Sequence, residues 1–169
     1  MSVHGLQIMA FDVDGIFTDG RLYYGPDGNN LQAFNILDGL GLKLLRRAGI
    51  KTAVITGRDS PMVTQRFSEL GVDFIIQARE DKGIALTELA NSLSLLPIDF
   101  GYMGDDFSDL SAAAIVSFFA SVPNGASVVQ DKAAYVTKLP GGQGAVREVC
   151  EFILLARGID PLRLFEEEL

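Results

Sequence analysis

Leu6-Gln7-Ile8-Met9-Ala10-Phe11-Asp12-Val13-Asp14-Gly15 begins as a short apolar run and closes on two carboxylates and a glycine. An apolar run of four to eight residues bounded by a turn signal reads as a strand buried on both faces, the kind found in parallel sheets. The same pattern recurs over residues 52–56, 74–77, 100–103 and 115–119. Helical spacing fills the gaps over 39–48, 61–70, 82–95 and 106–113, with a last helix over 144–157. This alternation predicts an α/β fold with a doubly wound parallel sheet covered by helices on both faces. Ser60-Pro61 marks one helix start, a capping residue followed by proline at the first helical position.

One segment breaks the rhythm. Arg21-Leu22-Tyr23-Tyr24 and Leu31-Gln32-Ala33-Phe34-Asn35 flank Gly25-Pro26-Asp27-Gly28-Asn29-Asn30, a turn-rich stretch that predicts a β-hairpin flap at about 21–36. A lone two-stranded hairpin is marginal in water, so the flap must rest on the domain or on a neighbouring chain. At 169 residues the sequence suits one domain over 1–169 with one active site.

Bulk properties exclude several classes. A formal charge of −8, from 14 Lys and Arg against 22 Asp and Glu, leaves little with which to build the basic face that nucleic acid requires. Residues 1–7 lack a basic leader, and the uncharged stretch over 110–123 is too short to span a bilayer, so no membrane role and a cytoplasmic location are expected. The single Cys150 lies on the apolar stripe Val146, Val149, Cys150, Ile153 and reads as core in a reducing compartment. A mean hydropathy of +0.24 is high for a small monomer and points to apolar surface covered by a partner subunit.

In open α/β sheets the working residues gather beyond the carboxyl ends of the strands. Asp12 and Asp14 follow the first strand, Thr56-Gly57-Arg58 the second, Lys82 opens the helix after the third, and Gly104-Asp105-Asp106-Phe107-Ser108-Asp109 follows the fourth. Three carboxylates sharing a small volume need a cation, and hard oxygen ligands without His or Cys favour Mg2+. Lysine in the first turn of a helix opposes the macrodipole, so Lys82 is better explained beside an anion than as a surface residue offset by Glu80 and Asp81. Each feature has an ordinary reading alone: a turn, a strand end, a helix cap. Four of them in order, each at a strand end, describe a site.

These stretches, Phe11-Asp12-Val13-Asp14-Gly15, Val54-Ile55-Thr56-Gly57-Arg58, Lys82 and the 104–109 segment, resemble the four motifs of haloacid-dehalogenase-type (HAD) phosphatases. Thr18-Asp19-Gly20, Phe34-Asn35, Asp38-Gly39-Leu40-Gly41 and Pro140-Gly141-Gly142-Gln143-Gly144-Ala145-Val146-Arg147-Glu148 further resemble the family of 3-deoxy-D-manno-octulosonate 8-phosphate (KDO 8-phosphate) phosphatases. The resemblance implies a Rossmann-like fold without a full cap domain and a cytoplasmic, magnesium-dependent homotetramer serving lipopolysaccharide biosynthesis. It implies Asp12 as nucleophile, Asp14 as acid and then base, and Thr56 and Lys82 as phosphoryl holders. Metal binding falls to Asp12, Asp105 and the Asp14 carbonyl, with Asp109 supporting the metal shell. Gly57, Arg58, Lys82 and Arg147 are the candidate substrate contacts.

One departure concerns specificity: Ile36-Leu37-Asp38-Gly39 has Leu37 where the family pattern has arginine. The cation that would hold a sugar-acid carboxylate is missing there, and Arg58 or Arg147 are the candidates to replace it. Hence two alternatives stand beside the eight-carbon substrate: a nine-carbon sugar-acid 9-phosphate, and a non-catalytic oligomerisation domain like those fused to sugar cytidylyltransferases. A receiver-type phospho-switch is disfavoured because its acidic pair and phosphoacceptor lie on different strands, whereas Asp12 and Asp14 share one. Residues 141–144 are expected either to close a neighbouring site or to form an ordinary loop before the last helix.

Overall fold

A computed structural model of the chain describes residues 3–26 and 30–166. Six strands form one parallel sheet: β1 (Ile8–Phe11), β4 (Lys51–Ile55), β5 (Phe74–Ile76), β6 (Phe100–Met103), β7 (Phe118–Ser121) and β8 (Tyr135–Val136). Their order is β5-β4-β1-β6-β7-β8, and each adjacent pair is parallel. The remaining pair, β2 (Tyr23–Tyr24) and β3 (Asn30–Leu31), forms the antiparallel hairpin. The helices are α1 (Ile36–Arg47), α2 (Pro61–Leu70), α3 (Lys82–Ser92), α4 (Leu110–Ala113), α5 (Ser127–Gln130), α6 (Ala145–Ala156) and α7 (Pro161–Glu166).

The two-residue period of a strand sorts its side chains into two cores. Met9 and Phe11 point to the side where Leu42, Leu45, Phe67, Val146, Val149 and Cys150 pack. Ile8 and Ala10 point to the other, among Ala85, Leu86, Phe100, Tyr102 and Phe119. All four β1 residues are buried, which explains why β1 carries no alternation of polar residues. The chain leaves β1 toward β4 on one side and reaches β6 on the other, so the order reverses at β1 and the carboxyl end of β1 opens into a crevice. Among the described residues, no helix is long and apolar enough to cross a membrane.

Several boundaries differ from the expected ones. The strand expected at 115–119 begins at Phe118, because the amides of Ala114 and Ile115 still bond to Leu110 and Ala112 as a helical end; pairing starts with the Ser117 amide on Phe100. The helix expected over 106–113 is a 3-10 turn, Phe107–Asp109, leading into the short α4. Helix α1 starts at Ile36, within the segment assigned to the flap, because Asn35 caps it: its Oδ1 accepts from the Leu37 amide at 2.9 Å. Strand β8 and helices α5 and α7 are too short to carry a sequence period. In the flap turn, Asp27-Gly28-Asn29 lie outside the described residues, as do Met1 and Ser2 of the N-terminal stretch.

The glycine-rich segment over 140–144 packs on the loop that follows β1. The Gly142 amide donates to the Ile16 carbonyl at 2.9 Å, and the Gly141 amide donates to Asn124 Oδ1 at 2.9 Å. A Cβ on Gly141 would overlap the Gly15 carbonyl oxygen, so the two backbones touch where no side chain fits. Gly141→Ala is therefore expected to lower stability by about 1–3 kcal/mol, seen as a lower urea midpoint with an unchanged slope. Gly5→Ala, where a Cβ meets nothing within 4 Å, should stay within about 0.5 kcal/mol of the parent.

Candidate active site

At the carboxyl ends of β1, β4 and β6 lies a cavity of about 390 Å³ lined by Asp12, Asp14, Thr56, Gly57, Arg58, Lys82 and Asp105, with Gly20, Glu80, Asp106 and Ser108 at its edges. Asp12 is the first residue after β1, its amide bonded to the Met103 carbonyl at 2.9 Å. The chain then turns sharply. Gly15 takes φ +88°, and a Cβ there would strike the Asp105 carboxylate. Glycine is needed for both reasons: the left-handed backbone, and the close approach that brings Asp105 beside the β1 loop.

Lys82 is only 3% exposed, which rules out the surface-lysine reading. Its Nζ lies 2.9 Å from Asp12 Oδ1 and 2.6 Å from Asp109 Oδ1. Burial opposes its charge, but the Asp12 and Asp109 carboxylates outweigh that and hold its pKa above the ordinary value. Asp109, fully buried, also accepts from the Tyr102 hydroxyl at 2.8 Å and from the amides of Asp105 and Asp106 at 2.9 and 3.0 Å. Four donors on one carboxylate make it a fixed anchor that orients Lys82 and the Asp105 loop.

Asp12, Asp105 and Asp109 offer oxygens within 4.8 Å of one another. Asp105 Oδ1 is buried with no hydrogen-bond partner, an orphaned acceptor of the kind that a cation satisfies. Burial first, and the Asp109 charge second, push both Asp12 and Asp105 up to about 7; at both the Lys82 ammonium pulls the other way. One ammonium cannot neutralise three carboxylates. An all-oxygen donor set with an unsatisfied acceptor fits Mg2+. Since Asp109 is saturated by four donors, Asp12 and Asp105 are the carboxylates with free acceptor capacity.

The Asp14 carboxylate stands apart from that cluster. Its Oδ1 accepts from Gln32 Nε2 at 3.2 Å, and its Oδ2 lies 3.9 Å from Arg58 Nε. Thus Asp12 and Asp14 line one cavity in two environments, one buried against Lys82 and one partly exposed toward the flap. Thr56 sits at the end of β4, its Oγ1 accepting from the Arg58 amide at 3.3 Å. Arg147 is not brought to this cavity: its Nε lies 2.6 Å from Glu151 Oε1 one turn along α6, while its amide caps onto Asp38 at 3.0 Å. Leu37 is half exposed beside the glycine-rich segment, with its Cδ1 3.8 Å from where a Gly144 Cβ would sit.

Two participants escaped the sequence reading. Tyr102 carried a signal, since a tyrosine in an apolar strand needs a partner for its hydroxyl. Gln32 carried none, because nothing local distinguishes a flap glutamine that reaches the site.

No family model matches the chain. The 3-deoxy-D-manno-octulosonate 8-phosphate phosphatase of Escherichia coli (strain K12) is 37% identical over 153 residues, 90% of this chain and 81% of that protein. Among solved structures, the enzyme of that name from Moraxella catarrhalis, in complex with magnesium, phosphate and a KDO molecule, superposes with TM-score 0.94 at 41% identity, covering 99% of this chain and 95% of that one. The cobalt-bound phosphatase of Haemophilus influenzae gives TM-score 0.90 at 33% identity over 97% and 98%.

Asp12 and Asp105, whose folded pKa values lie above their unfolded ones, make the metal-free protein less stable as pH rises from about 4 through 7, because the folded state binds more protons there. Magnesium that replaces those protons should raise the melting temperature by a larger step at pH 8 than at pH 5. Thermal melts in magnesium and in chelator at both values check this; equal steps would count against Asp12 and Asp105 as ligands.

Proposed function

The chain belongs to the 3-deoxy-D-manno-octulosonate 8-phosphate phosphatase family of the HAD superfamily, and on that footing we propose that it hydrolyses that phosphomonoester to the free sugar acid and phosphate in lipopolysaccharide biosynthesis. The observation that carries the reading is the burial of Asp12 and Lys82 against Asp109 in a cavity that Asp14, Thr56 and Asp105 also line. The eight-carbon substrate is the one the relatives' names carry, so the nine-carbon and non-catalytic alternatives are not favoured.

Magnesium, held by the carboxylates of Asp12 and Asp105 and the Asp14 carbonyl, would neutralise the site and the charge of the phosphoryl oxygens. Asp12 then attacks phosphorus as its bond to the sugar oxygen breaks, and Asp14 delivers its proton to that oxygen. In the second half, Asp14 takes a proton from water as the water oxygen attacks phosphorus and the bond to Asp12 breaks. Lys82 and Thr56 hold the phosphoryl oxygens, and Asp109 keeps Lys82 in place. Positioned charge of this kind supplies most of what phosphoryl transfer needs. Arg58, at the cavity wall, is the cation available to a sugar-acid carboxylate, with the Gly57 amide beside it.

The chain works as one domain, with the flap standing where a cap domain would. Tyr24, Leu31 and Ile36 on and beside the flap are each well over half exposed, and Leu22 and Leu37 are about half exposed. Exposed apolar side chains in this number support assembly with further copies into a homotetramer that completes the pocket. The buried thiol of Cys150 suits a cytoplasmic protein.

Asp12→Asn is expected to lower magnesium-dependent turnover at least about a thousandfold, because it removes the nucleophile. Phosphate release from the eight-carbon sugar-acid phosphate, a nine-carbon sugar-acid 9-phosphate and simple hexose phosphates should rank the eight-carbon ester first. Retention of a tenth of the activity by the variant would exclude Asp12 as nucleophile, and a flat profile would remove the substrate assignment.

A further inference from the structure

Gln32 follows β3 at the base of the flap and is partly buried between two partners. Its Nε2 donates to Asp14 Oδ1 at 3.2 Å, and its Oε1 accepts from Ser60 Oγ at 2.9 Å. The orientation of the amide follows from its chemistry: only the NH2 donates, so it faces the Asp14 oxygen, and the carbonyl faces the hydroxyl that donates to it. Ser60 is positioned in turn. It occupies the cap position of α2, yet its side chain makes no capping bond; its amide donates to Gln77 Oε1 at 2.8 Å, and Gln77 Nε2 donates to Thr64 Oγ1 at 2.7 Å. A chain of four side-chain and amide hydrogen bonds thus runs from α2 through the end of β5 and the flap to Asp14. The serine gives up its usual helix-capping bond to hold the glutamine.

From this arrangement, and resting on the reading of Asp14 as acid and base, we infer that Gln32 is a positioning residue for Asp14, latched by Ser60, through which the flap sets the geometry of proton delivery to the leaving group. With Oδ1 accepting from Gln32, the proton of the acid form sits on Oδ2. In the first half-reaction that proton passes from Oδ2 to the sugar oxygen as the P–O bond to the sugar breaks and the bond to Asp12 forms, leaving the Asp14 carboxylate. The Gln32 amide also restricts rotation of the carboxylate, whose other contact is the Arg58 guanidinium at 3.9 Å. Gln32 itself touches no reacting atom.

The test compares kcat/KM, in saturating magnesium, for the best sugar phosphate of the substrate panel and for 4-nitrophenyl phosphate. This parameter covers the steps up to release of the alcohol, so the second half-reaction does not enter. A sugar alkoxide needs protonation to leave, whereas 4-nitrophenolate does not. Gln32→Met is expected to lose about thirtyfold on the sugar phosphate and less than about threefold on 4-nitrophenyl phosphate. Ser60→Ala, which frees the amide without removing it, should show the same split at about a third of the size, and retained activity on the aryl ester shows that each variant is folded. Equal losses on the two esters, or no loss on either, overturn the inference and leave the phosphatase reading standing. Asp14→Asn sets the full size of the split; if it shows none, or if the parent enzyme releases phosphate from no ester, the reading of the site falls first and the inference with it.

Discussion

Placing two carboxylates and one lysine out of water, with a third carboxylate half-buried beside them, is costly, and the site is arranged around how that cost is met. Lys82 lies between Asp12 and Asp109 at 2.9 and 2.6 Å, almost without solvent contact. Ion pairs of this kind owe their stability to geometry and to further hydrogen bonds, because desolvation consumes most of the Coulombic gain. Asp109 has those bonds, from Tyr102 and from two amides of its own turn. Asp12 and Asp105 have fewer, and burial lifts their carboxyl groups to about 7. The imbalance leaves two groups that favour a divalent cation and, with it, a dianionic phosphoryl group.

Backbone contacts hold this charge cluster in place. The β1 loop can lie against Asp105 because Gly15 has no Cβ, and the glycine-rich segment can lie against the β1 loop because Gly141 has none. Asn35 links the two ends of the arrangement, capping α1 with its Oδ1 and donating to the Gly142 carbonyl at 3.3 Å. Asp38, in the first turn of α1, is buried against the first amides of α6, and burial pushes it up to about 6. The glycine-rich segment is therefore a brace behind the β1 loop. Arg147, in the first turn of α6, serves that brace through its amide and pairs its side chain with Glu151.

Much of this was legible in the chain. Near-continuous apolar strands alternating with helical periods gave the doubly wound sheet, and the strand-end residues Asp12, Asp14, Thr56, Lys82 and Asp105 do line one cavity. The misplacements have physical causes. The strand expected from residue 115 starts three residues later because Ile115, though apolar, completes a helical end; a short apolar run does not say which backbone it adopts. Ser60 has the residue type and position of a helix cap, and tertiary contact redirected its hydroxyl to Gln32.

Residue order by itself determined the fold class, the strand ends that carry chemistry and the acidic composition of the site, because these follow from periodicity and from side-chain type. Only the tertiary structure decided how the carboxylates divide. It buried Asp12 with Lys82, saturated Asp109, left Asp105 with an orphaned oxygen and turned Asp14 toward the flap. Asp109 takes its tyrosine and amide donors from within seven residues, but the other differences depend on partners 18 to 97 positions away in sequence, from Gln32 beside Asp14 to Asp109 beside Asp12, and on burial that no local pattern encodes.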